Sequence, residues 1–464
     1  MYKNQTGEVA VDFYHRFAEA AGAGAFPDHC APMQLLAFLQ LAHDIELMKS
    51  LGIRNFRMSL AWPRLFPNGT GKVNQAGVDY YNKVINMLRA NCIEPHVTLY
   101  HWDLPQALQD RYGGWLSPKI VGDFAFYAAA AFQLFGDRVK YWTTINEPFT
   151  VCVGGYGVGT WAPGRCSDRK QCKQGNSVTE PPRCAYHVLL AHAAAVPHFR
   201  RLVPDGKISI VNAVYPFHMP LTNSKQDVDA AERLNRWTSG QFLDPLFTGQ
   251  WTPERQQMVP SFILPRFTPE QSAALKAAKP DFLAINFYSG KYAYQDNASL
   301  LLRASTTTVS AAGVPLPQAE STWLYAMPEA MRGLLVWLDR RYNLPIIITE
   351  NGVSVPKEDS LPREEALCDT YRVDYYRDYI GNATLAVVKD GVRLLGYTAW
   401  SLQDCLEWAE GYEERFGIVY VDYTTQKRYL KASALWLANL FGLTSARSAA
   451  EVNAQQGTAP RAQV

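Results

Sequence analysis

The chain has 464 residues, 48% of them hydrophobic, with 45 basic against 43 acidic side chains and a formal charge of +2. That balance offers no electrostatic footprint for nucleic acid or an anionic membrane surface. No run of about 18 apolar residues is present to span a bilayer, and eight cysteines in so long a chain do not make a disulfide scaffold.

In chain order, the start MYKNQTGEVAVDFYHRF lacks the basic-then-apolar pattern of a secretory leader. Residues 9–13 are a short β-prone run that passes straight into a helical pattern, and 18–41 are rich in Ala, Gly and Leu and poor in charge. Residues 43–52 then read as helix. Seven apolar, β-branched runs follow, at 55–62, 94–102, 139–147, 207–215, 282–290, 345–352 and 394–402. Helical stretches separate them, such as 78–92, 123–136, 326–342 and 374–391. Strands alternating with helices predict parallel βαβ units, hence an eight-stranded barrel or a doubly wound sheet. The absence of a glycine-rich phosphate loop after any run disfavours a nucleotide-binding sheet. His101, Trp102, Asn146, Glu147, Tyr288, Glu350 and Trp400 all fall at the C-terminal ends of runs, where a barrel carries its active site. The small, polar residues 444–464 read as a disordered tail.

Two runs end on a glutamate, in TTINEPF (143–149) and IIITENGV (346–353). Two carboxyl groups facing one cavity can divide glycoside cleavage between them, one protonating the leaving oxygen while the other attacks carbon or activates water. Two surface ion-pair partners would look the same in a pattern this short. Cys166 and Cys172 bracket the polar loop CSDRKQC, as one bridge or as two free thiols. Trp102 and His101 serve equally as core packing at a strand end or as sugar contacts.

These segments resemble the two catalytic signatures of glycoside hydrolase family 1, T-x-N-E-P and T-E-N-G. The resemblance runs from about residue 12 to about 443 and includes NFRMSLAWPRLFPNGTG (55–71), LYHWDLPQAL (99–108), INFYSG (285–290), WLYAMPEAM (323–331) and WSLQDCLEWAEGYEERFGIVYVDY (400–423). It implies a (β/α)8 barrel and a retaining β-glycosidase acting on terminal β-glycosides, with Glu147 as acid/base and Glu350 as nucleophile. It implies Arg57 paired with the nucleophile and Tyr288 as its hydrogen-bond partner. Sugar would meet His101, Trp102, Asn146, Trp400, Glu407 and Trp408, with Trp323 on the aglycone side. No cofactor and no metal are required, and the partner is a small-molecule or oligosaccharide β-glycoside. The loop 162–181 resembles plant β-glucosidases, in which the two cysteines corresponding to Cys166 and Cys172 are bonded. That kinship leaves a secretory, vacuolar or plastid setting open, and no targeting peptide is visible in this sequence to choose among them.

The chain also departs from the family pattern. A first strand with a Gln-x-Glu-Gly-like motif is missing, segment 18–41 reads as an insertion between DFYHRF (12–17) and HDIELMK (43–49), and Cys405 stands where Asn is usual. The expectation is one catalytic barrel over 1–443, incomplete at its N-terminus. The alternative to an active hydrolase is a weak or inactive relative that at most binds sugar.

Overall fold

The structure, a computed structural model, describes residues 33–300 and 302–442, with side chains from residue 41 onward. The expected absent strand, residues 9–13, most of segment 18–41 and the tail 444–464 lie outside the described residues. Residues 33–41 are the first half of helix α1 (Met33–Ser50), which runs without a break through 43–50.

Each of the seven apolar runs becomes a strand of one parallel sheet. These are β1 (Asn55–Ser59), β2 (Glu94–Tyr100), β3 (Tyr141–Asn146), β4 (Lys207–Val214), β6 (Leu283–Phe287), β9 (Ile346–Asn351) and β10 (Leu394–Ala399), paired in that order. Between β4 and β6 runs a short strand, β5 (Phe217–Pro220). It joins β7 (Gly290–Gln295) and β8 (Ala304–Thr307) in a three-stranded annex beside the barrel. Parallel strands need long crossovers, and helices supply them. In α2 (Gln75–Ala90) the buried Val78, Tyr81, Ile85 and Leu88 recur at helical spacing and turn one stripe inward. The helix α3 (Lys119–Phe135) packs along α4 (Glu180–Leu202), whose first turn holds Pro181 and Pro182, where a missing N–H costs nothing. On the far side α5 (Pro328–Tyr342) packs on α6 (Thr370–Asp390).

Strand register determines which residues meet at the barrel mouth. Asn286 on β6 is the register partner of Glu350 on β9, and the N–H of Glu147 donates to the carbonyl of Val211 on β4. One layer deeper, the hydroxyls of Thr98 and Thr143 bond across β2 and β3 at 2.8 Å. Among the described residues β1 and β10 each have one neighbour in the sheet. A cavity of about 600 Å³ lies between them, lined by Phe56, Arg57, Tyr397, Trp400, Ile418 and Leu437 among others.

Two disulfides brace the segment that follows β3. Cys166 is bonded to Cys172, closing the short polar loop, and Cys152 is bonded to Cys184 on α4. The second bridge corrects the reading that confined disulfide chemistry to one loop. Its partners are 32 residues apart in sequence, and only the packing of α4 beside the start of this segment makes them neighbours.

Candidate active site

Glu147 follows directly on β3, and Glu350 lies within β9. Both are nearly sealed from solvent, at 3% and 4% exposure. Glu147 sits in the left-handed region at φ 49°, and Trp102, just past β2, at φ 74°. Non-glycine residues tolerate that region only when neighbours hold them there. Here the backbone N–H of Glu147 is bonded to β4, and the indole of Trp102 donates to the carbonyl of Asn146 at 3.0 Å.

The two carboxyl groups have opposite surroundings. Glu350 receives the guanidinium of Arg57 on one oxygen at 2.5 Å and the hydroxyl of Tyr288 on the other at 2.7 Å. A fixed cation and a hydroxyl donor thus occupy its two oxygens. Among the described residues Glu147 has no cation in contact. Burial, and then the negative charge of Glu350, push its carboxyl up to about 7. Three donors oppose the rise: the amide of Asn286 on Oε1 at 2.7 Å, and the hydroxyls of Thr150 and Tyr215 on Oε2.

Asn146 links the two halves. Its Oδ1 accepts from Arg57 at 2.7 Å and from Asn286 at 3.2 Å, and its Nδ2 lies 3.1 Å from Nε2 of His101. Burial and then Arg57 keep His101 well below its ordinary value, so the ring is neutral and Nε2 accepts from Asn146. The Oδ1 of Asn286 in turn accepts from Thr349 at 2.7 Å, which fixes the amide so that its N–H groups face Glu147.

Aromatic rings form the walls. His101 lies 6.1 Å from Trp400 and 5.6 Å from Trp408, and Trp102 lies 4.3 Å from Trp408, ring centre to ring centre. Glu407 accepts a hydrogen bond from the side chain of Trp400, while burial, then Glu414 and Glu350, hold its carboxyl well above the usual range. On the opposite side Trp323, 41% exposed, packs on Tyr215 at 5.1 Å and on Tyr288 at 5.6 Å. Cys405 carries a free thiol that burial pushes up to about 12.

Arg57, His101, Trp102, Asn146, Glu147, Tyr288, Trp323, Glu350, Trp400, Glu407 and Trp408 thus form one connected cluster. The Cys166–Cys172 bridge shares no hydrogen bond with it among the described residues. Sequence reasoning passed over Thr150, Tyr215, Asn286 and Thr349. Asn286 stands inside the INFYSG motif and Thr150 one residue past TTINEPF, so position alone could have flagged both. Nothing local marks Tyr215, whose role depends on β4 lying beside β3. Among the described residues no group of three or more His, Cys, Asp or Glu is arranged to hold a metal ion.

Residues 31–444 match the model of glycosyl hydrolase family 1. Beta-glucosidase 34 of Oryza sativa subsp. japonica is 43% identical over 454 residues, covering 94% of this chain and 84% of that protein. A rice beta-glucosidase of known structure superposes with a TM-score of 0.86 at 40% identity, covering 94% of both chains. The family 1 beta-glucosidase of the fungus Humicola insolens, in complex with glucose, superposes with a TM-score of 0.88 at 35% identity, covering 95% of this chain and 94% of the other.

Proposed function

We propose, because the chain belongs to glycosyl hydrolase family 1 and is therefore a retaining β-glycosidase on a (β/α)8 barrel, that Glu350 is its nucleophile and Glu147 its acid/base. The observation that carries the division of labour is the contrast between the two carboxyl groups. Glu350, held in place between the Arg57 guanidinium and the Tyr288 hydroxyl, attacks the anomeric carbon. Glu147, lifted to about 7, carries a proton through the mildly acidic range and delivers it to the leaving oxygen. Once the sugar is bonded to Glu350, the charge that raised Glu147 is gone. Glu147, having given its proton to the leaving group, then stays ionised and accepts one from the incoming water. The glycone is bound between the face of Trp400 and the polar groups of His101, Asn146 and Glu407, with Trp408 beyond. The aglycone leaves past Trp323. Curated relatives named beta-glucosidases favour a terminal β-D-glucoside as substrate. With both carboxyl groups and their partners in place, the non-catalytic alternative is not favoured.

Substitution of the two carboxyl groups tests the assignment. Glu350→Gln should abolish turnover of every substrate, because no glycosyl-enzyme forms. Glu147→Gln should spare aryl glycosides with good leaving groups more than alkyl glycosides, and azide should restore part of its turnover. Following the first-released anomer by NMR must show retention. An inverted product, or equal losses without azide rescue, would refute the roles.

A further inference from the structure

Glu147 must be stable in two charge states during one turnover, and its neighbours on the two oxygens differ in what they can do. The amide of Asn286 on Oε1 is a donor only. On Oε2 stand two hydroxyls, Thr150 at 2.8 Å and Tyr215, themselves 2.8 Å apart. A hydroxyl both donates and accepts, and its hydrogen rotates to suit. With Glu147 ionised, both hydroxyls point their hydrogens at Oε2. With Oε2 protonated, one turns to accept that hydrogen and the pair stays bonded. The two side chains reach Glu147 from different places, Thr150 from the segment after β3 and Tyr215 from just past β4.

We propose that Tyr215 and Thr150 are positioning residues that keep Glu147 in one place through both charge states by reversing their hydroxyl hydrogens. The inference rests on Glu147 being the acid/base. The hydroxyls keep their own protons. The transferred proton leaves Glu147 for the glycosidic oxygen as the C–O bond breaks, and a proton from water replaces it. As donors to the anion, both hydroxyls lower the proton affinity of Glu147 against the rise from burial and Glu350. The other ionisable groups facing it are Tyr288 after β6 and Glu407 after β10, with Arg57 on β1 and His101 after β2 reaching it through Asn146.

The test is the pH profile of kcat/KM for a nitrophenyl β-glucoside. Tyr215→Phe keeps the ring against Trp323, and Thr150→Val keeps the β-branch. Each removes one donor to the anion, so the basic limb should move up by about one pH unit. Thr150→Ser should return it to the wild-type position. Adding Tyr215→Phe to Glu147→Gln should leave azide-rescued turnover within about twofold, since the hydroxyl acts only through Glu147. A basic limb that stays put in both variants overturns the proposal, as does a full Tyr215→Phe loss on the Glu147→Gln background. An inactive or inverting wild type would instead overturn the parent assignment. Thr150→Val and its serine rescue carry the test should Tyr215→Phe fail to fold.

Discussion

A buried carboxyl near neutral pH costs the folded state, and Glu147 shows where that cost falls. Its proton affinity in the fold, at about 7, exceeds that of an exposed glutamate at 4.5. Between those two values the folded chain binds a proton that the unfolded chain has released, so the group loses stabilising power as pH rises through the window. Glu147→Gln carries no charge to desolvate and can still accept from Asn286. It should therefore be more stable than wild type above pH 7 by about 1–3 kcal/mol. Below pH 4.5, where the wild-type carboxyl is neutral as well, the difference should vanish. Thermal melts of the two proteins at pH 4.5 and pH 8 check this, and a gap independent of pH would mean that charge burial is not its source. On the proposed roles, catalysis runs on the same titration. The acid form is lost through about pH 7, and activity should fall with it on the alkaline side.

At the scale of elements, Glu147, the proposed acid/base, stands between β3 and a segment that is neither strand nor ordinary helix. After β3, residues 150–158 form a wide-turned helix, and the chain then loops back to α4 at Glu180. Thr150 hangs from the first turn of that segment, two residues before the bonded Cys152. The Cys152–Cys184 bond therefore ties the segment next to Glu147, which carries Thr150, to the 23-residue helix α4. Opening a loop of this size by substituting both cysteines should cost about 2–4 kcal/mol. Urea unfolding of Cys152→Ala/Cys184→Ala measures it. Because Thr150 rides on the freed segment, turnover of poor leaving groups should fall further than turnover of good ones. Removing the outer Cys166–Cys172 bridge should lower stability without that leaving-group signature, since among the described residues the bridge shares no hydrogen bond with the carboxyl cluster.

Across the whole molecule, a buried charge network ties the last barrel units together. Lys431, fully buried before the final helix, reaches Glu358 at 2.5 Å and Asp404 at 2.8 Å. Arg372 on α6 bonds Glu358 and Asp369, and Arg415 bonds Asp404. The network thus holds the loop from Trp400 to Arg415, which carries Glu407 and Trp408, against α6 and the segment that follows β9. Removing one member leaves the others buried without compensation, so Lys431→Met should destabilise by about 3–5 kcal/mol. Chemical denaturation reads the loss. KM for the glycoside should rise with it, because the loop proposed to bind the sugar loses its anchor. An unchanged KM in the folded variant would separate the network from the site.

The repeat of apolar runs and helical stretches was enough to predict parallel βα units. The placement of Glu147 and Glu350 at strand ends made them candidates, because a barrel gathers strand ends at one mouth, but only the family motifs set them apart from surface ion-pair partners. The family motifs carried the aromatic and polar partners residue by residue. What no run of sequence contains is the register between strands. Register sets Asn286 beside Glu350, brings Tyr215 and Thr150 to one oxygen of Glu147, and places Arg57 293 residues away from the carboxylate it holds. The Cys152–Cys184 bond was hidden for the same reason, since its partners meet only after α4 has packed. Local chemistry is written along the chain and can be read there. Proton affinities and pairings arise from distances between segments, and only the closed packing of the barrel decides those.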